Sequence, residues 1–353
     1  MAECGVTKPQ DAVTVSLDDL KTGTVPFTVL EEAFGPTSLG IIIVKDIPER
    51  FLELRRRLLL ASSQIANLPT EDLKLLECPE AKWLVGWSCG KETLKDGKYD
   101  TLKGSYYINC AFYKDPSLSS AQGHYPDFPE YTAPNIWPDE STYPQLCGFR
   151  TTAEELCRLV IDTAALVARA CDRYAKENIE GYRDGYLEHV VKTSTTTKAR
   201  LLHYFPSLPP SGQNTPISGE DDDWCATHVD HGCLTGLTSA MYLDKSSSGP
   251  QDELPLAPDP AAGLYIRSRV GATVKVSIPR GCLAFQTGEA LELITLGRFR
   301  AVPHYVRGVR EGGESQVVRD TLAVFTQPNL YEMVDEKRDF AAFAKEIVER
   351  NHR

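Results

Sequence analysis

From about residue 185 onward the chain changes rhythm, and no other feature constrains its fold as tightly. Short runs of apolar and β-branched residues alternate with Gly/Pro turns, at 201–205 (ending at Pro206), 234–242, 263–268, 273–278 and 282–286. The turns fall at Val270-Gly271 and Pro279-Arg280-Gly281, and a last run at 321–325 precedes a helical tail from about Tyr331. Many short strands with regular turns predict a closed or double-sheet β architecture such as a jelly roll. No internal repeat is evident.

The first half reads differently. Residues 1–38 look like a preamble of short strands or turns. The run Gly40-Ile41-Ile42-Ile43-Val44 predicts a short buried strand. Pro48 suits the opening of a helix, where its missing N–H costs nothing. Phe51, Leu54, Leu58, Ala61 and Ile65 would form that helix's apolar face, and Arg55-Arg56-Arg57 a solvated one. Residues 70–150 are irregular and aromatic-rich. Their stretches 85–92, 103–109 and 135–138 hold aromatics suited either to lining a pocket or to anchoring loops. Thr152-Ala153-Glu154-Glu155 resembles a capping box opening a long helix to about Tyr174. Residues 211–223 are polar and acidic and read as a mobile loop, and 244–262 read as an insertion. The expected organisation is a helical and irregular region (1–185) packed on a β core (186–330), then a helical tail (331–353).

Composition narrows the partners. The net charge of -11 offers no basic footprint for nucleic acid or an anionic membrane. No apolar run approaches spanning length, and the N-terminus lacks the pattern of a signal peptide. The ten cysteines are scattered without a Cys-x-x-Cys pair, which argues against a zinc knuckle and for free thiols in a reducing cytoplasm. A small-molecule enzyme fits this balance; oligomeric state is not legible.

The chemistry-bearing stretch is Trp224-Cys225-Ala226-Thr227-His228-Val229-Asp230-His231-Gly232. On an extended strand His228 and Asp230 project from one face. The pair also suits a strand histidine bonded to its neighbour, so His-x-Asp is a weak signal by itself. His304 is the best third ligand. Two imidazoles and a carboxylate on one side of an octahedral metal form the facial triad of non-haem Fe(II) oxygenases. Further on, Arg319, Thr321, Ala323 and Phe325 would share one strand face. An inward Arg in a β core needs an anion. It would meet either an acidic neighbour such as Glu289 or Glu292, or a ligand carboxylate held together with the Thr321 hydroxyl. His231 reads as a supporting or structural histidine, the alternative being one that tunes the site or shuttles protons.

The order His228-x-Asp230, His304, Arg319-x-Thr321 resembles the Fe(II)/2-oxoglutarate-dependent dioxygenases, in their isopenicillin N synthase-like branch. Tyr204-Phe205-Pro206, Gly263-Leu264-Tyr265, Gly288-Glu289-Ala290-Leu291-Glu292 and Ala323-Val324-Phe325 extend the likeness over about 201–329. Gly40–Val44 and Asn135-Ile136-Trp137-Pro138 extend it more loosely upstream. The resemblance implies a mainly β fold with flanking helices (α+β), built on a double-stranded β-helix of the jelly-roll, cupin-like kind. It implies iron held by His228, Asp230 and His304, and the far carboxylate of 2-oxoglutarate held by Arg319 and Thr321. It implies use of O2, with ascorbate as an accessory reductant. The reaction would hydroxylate, desaturate or cyclise a small organic molecule, releasing succinate and CO2. Phe325, Phe205, Tyr107 and Trp87 are the substrate-contacting expectations.

Three departures stand out. Thr321 replaces the family's usual serine. Phe205 stands where a carboxylate-binding tyrosine is common, with Tyr204 expected on the opposite strand face. The interval between Asp230 and His304 is long, which the 244–262 insertion explains. Two other readings remain: a same-fold iron oxidase that does not use 2-oxoglutarate, and a non-catalytic binding protein. A zinc hydrolase lacks its His-Glu-x-x-His motif.

Overall fold

The computed structural model describes residues 11–92, 100–206, 225–246, 252–269, 271–308 and 316–351. The expected acidic loop at 211–223 lies outside them, as does part of the insertion. The strands are β1 (Val13–Ser16), β2 (Ile41–Lys45), β3 (Gly86–Cys89), β4 (Lys103–Asn109), β5 (Lys198–Tyr204), β6 (Cys225–His228), β7 (Leu234–Thr238), β8 (Met241–Asp244), β9 (Gly263–Arg267), β10 (Thr273–Val276), β11 (Leu283–Thr287), β12 (His304–Arg307) and β13 (Val317–Thr326). Among the described residues the larger sheet has the order β1-β2-β11-β7-β13-β5-β4-β3, with β8 also on β13. The smaller sheet is β10-β9-β12-β6. Pairing is antiparallel except between β1 and β2. The result is a double-stranded β-helix with helices on the outside.

The larger sheet is covered on both faces, and that explains its sequence. Along β2, Ile42 and Val44 join the core beneath the helices, while Ile41 and Ile43 join a second cluster with Ile266 and Val276. A strand buried on both sides reads as a continuous apolar run rather than an alternation. The helix Phe149–Asn178 lies on the outer face. Gly236 of β7 admits it: a Cβ there would sit 2.4 Å from Val160 Cγ1 and 3.1 Å from Phe285 Cε1.

Several local expectations change. Residues 1–38 contain the helices Leu17–Thr22 and Phe27–Phe34. The stretches at 85–92 and 103–109 are not irregular: they hold β3 and β4, which lengthen the larger sheet past β5. The long helix starts three residues before the supposed capping box, after Gly148 with φ 77°, so Thr152 is interior and its N–H bonds Gly148 O at 2.9 Å. The terminal helix begins at Phe340, not Tyr331. The run at 234–242 is interrupted at Ser239-Ala240: Leu237 faces Ala323 and Met241 faces Asp320, so β7 and β8 carry one more residue than β13 does. No helix among the described residues is long and apolar enough to cross a membrane.

Arg55 is the other correction. Arg56 and Arg57 are exposed, but Arg55 is only 1% exposed. Its Nε donates to Ser239 O at 3.1 Å and its Nη2 to Ala240 O at 2.9 Å, taking the carbonyls at that irregularity. Nη1 and Nη2 hold Glu253 at 3.0 and 2.8 Å, tying the described end of the insertion to the helix Arg50–Ile65. Arg55→Ala would strand two carbonyls and weaken a buried ion pair, a loss of roughly 3 kcal/mol. A urea melt should show this as a lower midpoint; an unchanged midpoint would mean that the buried guanidinium contributes nothing net.

Candidate functional site

The site forms where the two sheets meet. In the smaller sheet β6 and β12 are antiparallel neighbours, and His228 lies directly opposite His304. Their ring centroids are 4.2 Å apart. The register then shifts, so Val306 faces Cys225. Three steps of β6 match two of β12, a β-bulge that lets Cys225 and His228 both line the cavity. Cys225 Sγ stands 3.8 Å from His228 Nδ1.

Asp230 reaches the site by a different route from the expected one. β6 ends at His228, so the carboxylate comes from the following turn rather than from the same strand face. That turn is tied to the start of the helix Glu289–Ile294: Glu289 N donates to Asp230 O at 2.8 Å and Gly288 N to Cys233 O at 2.9 Å. Gly288 permits the closeness, since a Cβ there would lie 2.3 Å from Gly232 O. The carboxylate is buried, and Thr235 Oγ1 donates to its Oδ2 at 2.6 Å. Oδ1 is left facing both imidazoles, 3.7 Å from His228 Nε2 and 3.9 Å from His304 Nε2.

The three side chains offer ligand atoms that all lie within 4.8 Å of one another. Neighbouring ligands of an octahedral ion, each ~2.1 Å from it, stand ~3.0 Å apart, so the gaps of 3.7 and 3.9 Å at Asp230 suit a shared ion after closing by less than ~1 Å. The electrostatics agree. Burial, with His228 beside it, pushes His304 down to about 4, leaving a neutral imidazole. Burial opposes charge on Asp230, but His304, His228 and the Thr235 hydroxyl outweigh it and hold the carboxyl below its usual range.

A cavity of about 590 Å³ opens beside the triad. β13 sends Arg319, Thr321, Ala323 and Phe325 into it, as the period-two reading expects. Arg319 is 6% exposed, and its Nε and Nη1 are buried without a hydrogen-bond partner among the described residues. Neither acidic neighbour pairs with it: Glu289 meets His231 at 2.6 Å and Glu292 meets Arg269 at 3.2 Å. The guanidinium lies 5.0 Å from the centroid of the Tyr204 ring, its cross-strand partner. Tyr204, not Phe205, faces the cavity, and burial pushes its phenol up to about 12. Thr321 Oγ1 makes only a long bond, 3.4 Å, to Thr238 O.

Of the substrate-contacting expectations, Phe325 lines the cavity. The other three lie elsewhere. Phe205 packs edge-on against His203, Tyr107 bonds Glu92 at 3.2 Å, and the buried Trp87 ring fills the space beside Gly104. Sequence reasoning passed over Arg200, Thr235, Gln286 and Cys225. Arg200, opposite Ala323, adds another cation to the wall besides Arg319, Lys275 and Arg280, and is held by Glu92 and Ser105. Gln286 carries a usable signal, a long polar side chain in a strand buried along its whole length; Thr235 carries none, since β7 has a second threonine at 238.

No protein-family model and no curated protein matches the chain. Solved structures do. Neurospora crassa T7H in complex with alpha-KG and thymine superposes with a TM-score of 0.65 at 19% identity, covering 99% of each chain. The dioxygenase for auxin oxidation in rice gives 0.59 at 14% identity, over 97% of this chain and 96% of that one. JOX2 in complex with 2OG, Fe and JA gives 0.58 at 13% identity, over 94% and 78%. This chain shares their fold. At these identities the likeness speaks to architecture, and the chemistry must rest on the residues themselves.

His228→Ala and Asp230→Ala are each expected to abolish Fe(II) binding in an anaerobic equilibrium titration. Normal affinity in the Asp230→Ala protein would sink the triad.

Proposed function

We propose that this protein is an Fe(II)- and 2-oxoglutarate-dependent oxygenase acting on a small organic molecule. One observation carries the reading: a buried arginine with two unpartnered nitrogens opens into the same cavity as a His-Asp-His cluster. Buried guanidinium groups without partners are rare unless a ligand supplies them. Arg319 with Thr321 suits a carboxylate, as a 2-oxo diacid requires at its far end. Matching structures hold alpha-KG, or 2OG with Fe, in proteins of this fold.

His228, Asp230 and His304 would hold the iron. Bound iron would activate O2, with oxidative decarboxylation of 2-oxoglutarate to succinate and CO2 supplying two of the four electrons that O2 takes up and the substrate C–H bond the other two. The chain's own contribution is positioning. Arg319 neutralises the diacid's far end and Tyr204 supports the guanidinium from below. Phe325, Ala323, Leu202 and Leu237 give the cavity an apolar wall that excludes water from the reacting centre. The cavity volume falls in the range of small-molecule sites, about 300–1,000 Å³. Thymine and JA, held by proteins of this fold, are compact molecules of that kind. We place the protein in the cytoplasm, a setting that suits its nine described cysteines, all unpaired.

The test is anaerobic titration of metal-free protein with Fe(II) and then 2-oxoglutarate, following the visible charge-transfer band of the chelate. A saturable band is expected in the wild type. Arg319→Met should weaken 2-oxoglutarate by about 100-fold, the loss of a charge-assisted pair, while leaving iron affinity unchanged. Iron binding without a band would favour the oxidase that needs no 2-oxoglutarate. No iron binding would leave a ligand-binding protein.

A further inference from the structure

Two polar side chains behind the triad remain unexplained by ligand binding alone. Thr235 of β7 and Gln286 of β11 are directly opposed in the sheet register, so their side chains lie side by side on one face. Both are buried, at 2% and 0% exposure. Each touches a different member of the triad: Thr235 Oγ1 donates to Asp230 Oδ2 at 2.6 Å, and the Gln286 amide lies 2.6 Å from His304 Nδ1. We infer that this cross-strand pair positions the metal ligands, Thr235 by selecting which carboxylate oxygen faces the ion and Gln286 by fixing the tautomer of His304. The inference rests on the metal site proposed above.

The tautomer argument is one of donors and acceptors. His304 turns Nε2 toward Asp230. To bind an ion there, Nε2 must carry a lone pair, so the ring proton must sit on Nδ1 and be donated. Two groups meet Nδ1. The Val302 carbonyl oxygen, 3.4 Å away, can only accept. The Gln286 amide has its nitrogen toward Nδ1, while its Oε1 is buried with no hydrogen-bond partner among the described residues. A half-turn of the amide exchanges the two atoms in nearly the same volume. The orphan oxygen then accepts from Nδ1–H, and Nε2 is free for the ion. The amide's present orientation would instead put the ring proton on Nε2, against the neighbouring ligand.

Thr235 acts on the other ligand in the same way. With Oδ2 engaged, only Oδ1 is presented to the imidazoles, which favours one-oxygen coordination and leaves the remaining positions for 2-oxoglutarate and O2. Both positioning groups stand on central strands of the larger sheet, while the ligands come from strand ends and a turn. The rigid element thus orients the less constrained one.

The test is Co(II) or Fe(II) affinity of the metal-free protein, with thermal melting to check folding. Gln286→Met and Thr235→Val keep the volume but lose the hydrogen bond; each should weaken the metal by about 10–100-fold. Gln286→Glu and Thr235→Ser restore an acceptor and a donor, and should retain most of the affinity. Wild-type affinity in Gln286→Met, or equal loss in Gln286→Glu, would overturn the role of Gln286. The same pattern in Thr235→Val and Thr235→Ser would overturn that of Thr235. Side-chain 15N NMR of wild-type metal-free protein gives a check that no variant's misfolding can blur: His304 should carry its proton on Nδ1, and a proton on Nε2 would refute the tautomer argument. If the wild type binds no metal at all, the metal-site reading itself fails.

Discussion

One row across the larger sheet governs the site. Gln286 of β11, Thr235 of β7 and Phe325 of β13 are successive register partners. The first two touch the metal-capable side chains, and the third lines the cavity. Side chains alternate faces with a period of two, so a slip of one residue in any of these strands would turn its member of the row toward the helices. The same slip on β13 would remove Arg319 and Thr321 from the cavity. Register is therefore the constraint on which ligand geometry, anchor and pocket wall all depend. It is protected by burial on both faces: Leu322 and Val324 fill the helical core while Ala323 faces inward.

Buried cations show how the protein separates structure from chemistry. Arg55 is satisfied by two carbonyls and Glu253, and it ties down the described end of the insertion. Lys198 donates to Leu84 O at 2.8 Å, Asn109 Oδ1 at 2.6 Å and Glu130 O at 2.6 Å, joining β5 to the aromatic-rich segments. Arg319 differs from both. It is similarly buried, yet two of its nitrogens meet no acceptor among the described residues. A buried charge pointed at a cavity supports the carboxylate-anchoring role proposed for Arg319.

Legibility varied with how local each signal was. The inward face of β13 followed from period two, and the strand at Gly40–Val44 from its apolar run. Arg55 was misread because its neighbours Arg56 and Arg57 are exposed; the acceptors that bury it lie at Ser239, Ala240 and Glu253, far along the chain. β3 and β4 were hidden because an edge extension built from Gly, Ser and aromatics lacks strong alternation. Asp230 was expected on a strand face, but it is placed by hydrogen bonds from Gly288 and Glu289 to its turn. Nothing within His-x-Asp encodes those contacts.

The sequence by itself determined the β architecture, the identity of the three ligand-type residues and the arginine-hydroxyl pair, because these depend on residue type and short-range periodicity. Tertiary structure alone decided that Tyr204 rather than Phe205 meets Arg319, that Trp87 and Tyr107 stand away from the cavity, and that Gln286 lies against His304. Those outcomes turn on strand register and on a one-residue bulge in β6. Register is set by the packing of whole sheets against helices, so no short stretch of sequence carries it.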